Sequence, residues 1–481
     1  MIYGIYIFHR DLRLHDNHGL INLINKCDKI IPLFIFDTYQ IIESEHNKHY
    51  FSNNVVQFMC ESLQDLDNQL REKNSRLFYF LSEQDVSHVL ENIIKQLHSY
   101  NIIIGWNADY SQYALMRDEK MKIVCKKNNI EVLETHTDYT LVPFENLLKG
   151  NGDAFKQYGA FYKNAKKTNV NKSIKNNFNN YISKQFSFKN EFVKSLKHFY
   201  KQNNDLAQYG GRSEAIKKLK KLQKFKEYNV MRDRLDYETT NLSAALNFGC
   251  VSIRETYEAI YKSLGENSII LKQLYWRDFF LTIVKYIPHG NDFKRHIDER
   301  YDKLEWQNSK KDWKNLWEGK TGFLLIDAGM NQMKISGFLH NRLRMLLGIY
   351  WTKYLLINPF HPKYGSQVGF SKLLVDAIGP SQNAKNHAWI TELDFPGRKF
   401  SAKGAPLSGR PMDISNKMIR KWDPDCVYIK KWLPHLSHIS NKDLYNWNDE
   451  IAKKYNNIHP SPIFDHKEKY KEWIHICSNI K

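Results

Sequence analysis

The chain contains no CxxC pair. Its six cysteines, Cys27, Cys60, Cys125, Cys250, Cys426 and Cys477, are scattered, which argues against a disulfide framework, a zinc site and an iron–sulfur cluster together. No metal site is expected. There is no run of about 18 apolar residues, so no membrane-spanning helix is expected. The opening MIYGIYIFHRDLRL passes from an apolar strand straight into charge, without a secretory apolar region or a small-residue cleavage site. An intracellular, non-secreted monomer is the expectation, with cytoplasm and nucleus both open. Internal repeats are absent. No GxGxxG follows the first strand, which excludes the usual dinucleotide fingerprint.

What is present is positive charge. Lys and Arg number 71 against 52 Asp and Glu, giving a net charge of +19 over 481 residues. A non-secreted protein this basic points to a polyanion, most often nucleic acid. The 11 tryptophans and 28 tyrosines add flat surfaces on which bases can stack. Hydrophobic content of 42% is ample for real cores. The length alone allows about three domains of ordinary size, or two larger ones.

Along residues 1–145, the apolar runs IYGIYIF, KIIPLFIFD, RLFYFLSE, NIIIGWNAD and IEVLETHTDYTLV bracket amphipathic helical segments. Continuous rather than alternating apolar strands imply a parallel sheet covered on both faces. Residues 146–208 shift to Lys, Asn, Phe and Tyr with little periodicity and read as a long surface connection. Helical patterns dominate 209–481. The expected fold is an α/β, Rossmann-like N-terminal domain followed by a larger all-α domain.

Within the second domain, GFLHNRLRMLLGIYWTKYLL (Gly337–Leu356) reads as one buried helix with a polar stripe. Asn341, Arg344, Met345 and Gly348 recur at i, i+3, i+4 and i+7, with Arg342 on the adjoining strip. Such a stripe fits either an internal salt-bridge network or a ligand pocket. In TTNLS, the hydroxyls of Thr239, Thr240 and Ser243 gather with Asn241 before an apolar helical pattern, a combination suited to an anion. An ordinary N-cap would account for one of these residues but not the cluster.

Five blocks, in order, resemble the cryptochrome/photolyase family: FHRDLRLHDNHGL, RLDYETTNLSAALNFGCVS, QLYWRDFF, WEGKTGFLLIDAGMNQMKISGFLHNRLRM and KWDPDCVYIKKWLPHL. They span nearly the whole chain. The resemblance implies an FAD held inside the helical domain by Tyr228, Thr239, Thr240, Asn241, Leu242, Ser243, Gln273, Arg277, Asn341 and Asp376, with Arg344 paired to Asp376. A second, light-harvesting pigment, a folate or a deazaflavin, occurs in the family, and the sequence leaves it open. Asn107 and Asp109 stand at a site where relatives bind it, though both are also common turn residues.

The implied activity is light-driven repair of UV-damaged DNA. Excited reduced flavin gives an electron to a pyrimidine dimer flipped out of the duplex, the dimer splits and the electron returns. Trp276 and Trp389 match the walls that stack on the lesion. Arg277, Asn341, Arg342 and Met345 are implied DNA-side contacts with them. Met345 stands where cyclobutane-dimer photolyases carry Met and (6-4) photolyases carry His. A thioether cannot donate the proton that (6-4) chemistry needs, which favours cyclobutane dimers. Asn383 matches the asparagine beside the flavin ring in photolyases. Gln273 departs from this, standing where bacterial cyclobutane-dimer enzymes usually have Glu and where (6-4) photolyases and animal cryptochromes have Gln. A (6-4) photolyase and a cryptochrome-type blue-light receptor are therefore the alternatives.

The electron relay departs most from the family. Trp306 matches its surface tryptophan, but Pro359 or Phe360 stands at the middle position and His387 at the flavin-proximal one. A route broken or diverted through Tyr350, Trp351 and Tyr354 is the expectation.

Overall fold

The computed structural model describes residues 1–41, 51–287, 302–377 and 412–478. Five parallel strands, β1 (Ile2–Ile7), β2 (Lys29–Asp37), β3 (Phe78–Ser82), β4 (Asn101–Asn107) and β5 (Glu131–Thr135), form one sheet in the order β3-β2-β1-β4-β5. Ile5 of β1 lies opposite Ile31 of β2 and Ile104 of β4. Alternate residues feed two cores. Ile5, Ile7, Ile31 and Leu33 meet Leu90 and Ile93 of the Val86–Gln96 helix. Tyr6, Phe8, Ile30 and Phe34 belong to the core holding Leu20 and Leu23 of the His18–Ile24 helix and Val55 and Leu63 of the Asn53–Glu72 helix. Helices on both faces are what unbroken apolar strands require.

That second core does not stop at the first domain. It continues through Leu219, Phe248, Leu274 and Phe279 of the helical region, with the Phe58 and Phe248 rings 5.1 Å apart. The 146–208 segment departs from a surface connection. It buries Phe161, Tyr181, Ile182, Phe188 and Leu196. Its Asn180 carbonyl and Ile182 amide also bond Ile30 of β2, at 2.9 and 2.7 Å. Apolar residues spaced without period can still fill the gap beside Ile30, where β3 pairs with β2 only from Leu33 onward.

Where β1 and β4 diverge, the loop FHRDLRLHDN leaves the sheet at the point where strand order reverses, the usual crevice of such folds. Here that crevice is filled by the helical domain. The Leu12 amide donates to the Phe248 carbonyl at 3.0 Å. Arg13 Nη2 bonds Asp138 at 2.7 Å, and Arg254 Nε bonds Asp16 at 2.9 Å. Burial alone would raise the Asp138 carboxyl, but the Arg13 and Arg254 charges hold it below the usual range. Asn107 donates to Asp11 at 2.7 Å and Asp109 accepts from Arg10 at 2.7 Å. Both strand-end residues are therefore spent inside this lock. Gly249, at φ +67°, lies so close that a Cβ would stand 2.2 Å from the Arg10 carbonyl.

The segment Gly337–Leu356 does not form one helix. Gly337, at φ +64°, ends the Leu324–Ser336 helix in the left-handed region. His340 then caps a new helix, Asn341–Ile349, its side chain accepting the Arg342 amide at 3.2 Å. Tyr350–Tyr354 continues as a π-turn. Periodicity alone could not locate the break, because glycine within an apolar pattern is also tolerated inside helices.

Candidate active site

The Ile269–Tyr286 helix presents Gln273, Trp276, Arg277 and Phe280 along one face, a spacing of i, i+3, i+4 and i+7. Facing it, the Asn341–Ile349 helix supplies Asn341, Arg342 and Arg344, and the stretch Thr239–Ser243 closes one side. Between them lies a cavity of about 460 Å³, also lined by Tyr228, Leu242 and Asp376. Its size falls within the range of small-molecule sites, about 300–1,000 Å³.

The cavity is electrically lopsided. Arg232, Arg277, Arg342 and Arg344 line it against Asp233 and Asp376, leaving two more positive charges than negative. Arg342 is held by Asp233 at 2.8 Å through two parallel hydrogen bonds. Arg344, 6% exposed, bonds Asp376 at 3.0 Å and the Leu339 carbonyl at 2.8 Å. Arg277 donates to the Tyr139 carbonyl, and burial pushes its guanidinium down to about 10. A cation that sheltered is stabilised by an anion entering the cavity.

The Thr239–Ser243 stretch is held in shape from behind. Asn241 has φ +48°, and Lys218 Nζ bonds its carbonyl at 2.9 Å. Burial pushes the Lys218 amine down to about 8. Gln208 accepts from the Ala244 amide at 3.2 Å, fixing the start of the Ser243–Asn247 helix. Thr239, Thr240 and Ser243 thus turn toward the cavity as a cluster rather than serving as one cap.

His340, in the cavity wall, was not expected from the sequence. Burial first, and the Arg342 charge second, push its imidazole down to about 4, so it stays neutral. Arg232, Phe280 and Phe338 were also missed. Phe280 was within reach, because extending the Gln273–Trp276–Arg277 face by one turn arrives at it.

Met345 is not among the described lining residues, but its sulfur lies 3.9 Å from both the Asn341 amide nitrogen and an Arg342 nitrogen, which are. Trp306 is not among the described lining residues and packs with Leu304, Leu356 and Trp473. Tyr350, Trp351 and Tyr354 belong to the core of the second domain and are not among the described lining residues. Pro359 is buried, while Phe360 is half-buried. Asn383, His387 and Trp389 lie outside the described residues. Among the described residues, no group of three His, Cys, Asp or Glu could hold a metal ion. No helix there is long and apolar enough to cross a membrane.

The donor set fits FAD. Hydroxyls and surplus arginine charge suit a pyrophosphate. Arg344, Asp376 and Asn341 offer donors and acceptors to a polar ring edge, while Leu246, Ile260 and Ile270 offer apolar surface. Residues 4–176 match the profile of DNA photolyase, and residues 270–479 match the FAD binding domain of DNA photolyase. The deoxyribodipyrimidine photo-lyase of Synechococcus sp. is 26% identical over 98% of this chain and 96% of its own. The (6-4)DNA photolyase of Arabidopsis thaliana is 26% identical over 97% of this chain and 86% of its own. The crystal structure of the archaeal photolyase from Sulfolobus tokodaii with two FAD molecules superposes with a TM-score of 0.82. It is 30% identical, covering 99% of this chain and 100% of the other. With an arginine-rich cavity between helices and a parallel sheet docked behind it, this chain belongs to the DNA photolyase family, which also takes in the cryptochromes.

Proposed function

We propose that the protein is a light-dependent DNA repair enzyme that splits cyclobutane pyrimidine dimers. The observation that carries this reading is the cavity itself, which joins a cationic, hydroxyl-rich interior to an aromatic rim at Trp276. When bound and reduced, FAD supplies on excitation the electron that splits a dimer and takes it back afterwards. The protein's part is placement. Thr239, Thr240, Ser243 and the arginines would hold the phosphates, and Arg344 and Asp376 would orient the ring. Trp276 offers an apolar face to a dimer that has left the duplex, and Gln273 offers an amide to its hydrogen-bonding edge. The net charge of +19 supplies non-specific affinity for the phosphate backbone.

The neighbourhood of Met345 favours the cyclobutane lesion. A (6-4) lesion requires a proton donor, and the one histidine among the described lining residues is His340. It is neutral and its Nδ1 is engaged in capping its helix. The Met345 thioether has no proton to give, and burial holds His340 neutral. The relatives named deoxyribodipyrimidine photo-lyase support the same choice.

The test is photorepair of defined lesion oligonucleotides by purified, chemically reduced protein. Thymine cyclobutane dimers should be restored and (6-4) products left untouched. Repair of (6-4) products alone would make Gln273 the better guide. Failure on both lesions with flavin bound would favour a cryptochrome.

A second pigment has space available. A cavity of about 600 Å³ lies past the carboxyl ends of β2 and β3, lined by Asp37, Tyr39, Tyr113, Met116, Arg117 and Lys120. Reconstitution with a folate, a deazaflavin or excess FAD, followed by gel filtration and an absorption spectrum, decides which is retained.

A further inference from the structure

Tyr158 opens the short Tyr158–Ala165 helix in the segment joining the two domains. Its ring lies flat on the Trp276 indole, with centroids 3.5 Å apart and planes within 6°. No other aromatic pair among the described residues is that close. Its hydroxyl donates to the Lys272 carbonyl at 2.9 Å, one turn before Trp276 on the same helix. Phe279 packs edge-on against Tyr158 and also against Trp276, at 5.8 and 5.7 Å. Tyr158 is therefore clamped to the Trp276 helix by a hydrogen bond and by ring contacts on two sides, and it covers one face of an indole whose residue lines the cavity.

We propose that Tyr158 is a positioning residue for Trp276, fixing the plane of the indole so that its cavity side is ready to stack on an unpaired pyrimidine dimer. The inference rests on the reading of Trp276 as a lesion wall. A half-exposed tryptophan without such a backing samples several rotamers and loses that freedom when a ligand binds. Ordering a side chain of this kind costs about 0.5–1.5 kcal/mol, or roughly 2- to 13-fold in affinity. Tyr158 removes the cost in advance.

The test compares the affinity of the flavin-loaded protein for duplexes with and without one thymine dimer. Tyr158→Leu should weaken binding to the damaged duplex by about 3- to 10-fold, leave intact DNA unaffected, and raise KM while kcat at saturating substrate holds. Tyr158→Phe keeps the stacked ring and should recover parental selectivity. In a Trp276→Ala background, Tyr158→Leu should cost nothing further. Should Tyr158→Leu fail to fold, Tyr158→His, with a smaller flat ring, carries the same comparison. Equal weakening on both duplexes, or the same loss with and without Trp276, would overturn the proposal while leaving Trp276 a wall. If Trp276→Ala itself does not discriminate between the duplexes, the wall reading fails instead.

Discussion

Arg344 and Asp376 meet at the inner wall of the cavity, Nη2 3.0 Å from Oδ2, 6% and 3% exposed. They stand 32 residues apart in sequence, and each offsets part of the other's buried charge. Asp376→Asn keeps the shape but leaves Arg344 without its carboxylate. Removing one partner of a buried pair costs about 3–5 kcal/mol. Chemical denaturation of the variant should show a loss of that size, together with release of flavin on gel filtration. Unchanged stability would mean that Arg344 finds its balance elsewhere.

Flavin retention should depend on the hydroxyl cluster. Thr240→Val and Ser243→Ala each remove a donor from an anionic group, worth about 1.5–3 kcal/mol per hydrogen bond, or about 10- to 150-fold in FAD affinity. Fluorescence titration of apoprotein with FAD measures this. Losses under twofold in both variants would move the phosphates away from the Thr239–Ser243 stretch.

His340 gives the site a pH dependence of known sign. Its folded pKa, about 4, lies below the unfolded value of about 6.5. The unfolded chain therefore takes up a proton first, so the stabilisation is complete above about pH 6.5 and is lost as pH falls towards 4. The loss from this residue is about 3 kcal/mol. His340→Asn keeps an N-cap acceptor but cannot titrate. Denaturation at pH 7.5 and 4.5 should show a smaller acid loss in the variant, and an identical loss would show the imidazole titrating normally.

Light-driven reduction of the oxidised flavoprotein should be slow. Trp306 sits with Leu304, Leu356 and Trp473, and Pro359, buried close by in sequence to Leu356, cannot be transiently oxidised. Illumination with an external reductant should give slow photoreduction that is indifferent to Trp306→Phe, while repair by chemically reduced protein stays normal. Fast photoreduction that collapses on losing Trp306 would show an intact relay.

Gly249→Ala should separate effects on docking from effects on chemistry. A Cβ there would stand 2.2 Å from the Arg10 carbonyl and 2.5 Å from the Asp11 Cα, and both are backbone atoms that cannot turn aside. At φ +67° the substitution is strained as well. A lower Tm and a higher rate of proteolytic cleavage within 146–208 are expected, and parental values for both would show that the interface gives way locally.

Much of this was legible in the sequence, for reasons that differ residue by residue. The strands were readable because runs such as KIIPLFIFD are too apolar to face water on either side. Gln273 and Arg277 were reached only through the resemblance of QLYWRDFF to the family, whereas Thr239–Ser243 was readable because its hydroxyls are more than one N-cap needs. His340 was not, since a cap and a catalytic histidine have the same one-letter appearance, and only burial separates them. Met345 shares a helical face with Asn341 and Arg344, and its sulfur does lie against Asn341, as that spacing implies. Tyr158 was invisible because its partner is 118 residues away. FHRDLRLHDN had no local signal of its docking role, since the carboxylate that holds Arg13 and the guanidinium that holds Asp16 come from Asp138 and Arg254, far along the chain.

That last loop bears on the order in which the molecule can assemble. Arg254 is satisfied by Asp16 and by the carbonyls of Thr137 and Thr140, all contributed by chain synthesised well before it. A helical half emerging without a completed sheet would carry a naked guanidinium and the apolar faces of Phe248 and Phe279 into solvent. The sheet therefore acts as a template on which the cavity-bearing half condenses. A polypeptide begun at residue 209 should aggregate rather than take up flavin, and adding residues 1–208 in trans should rescue it.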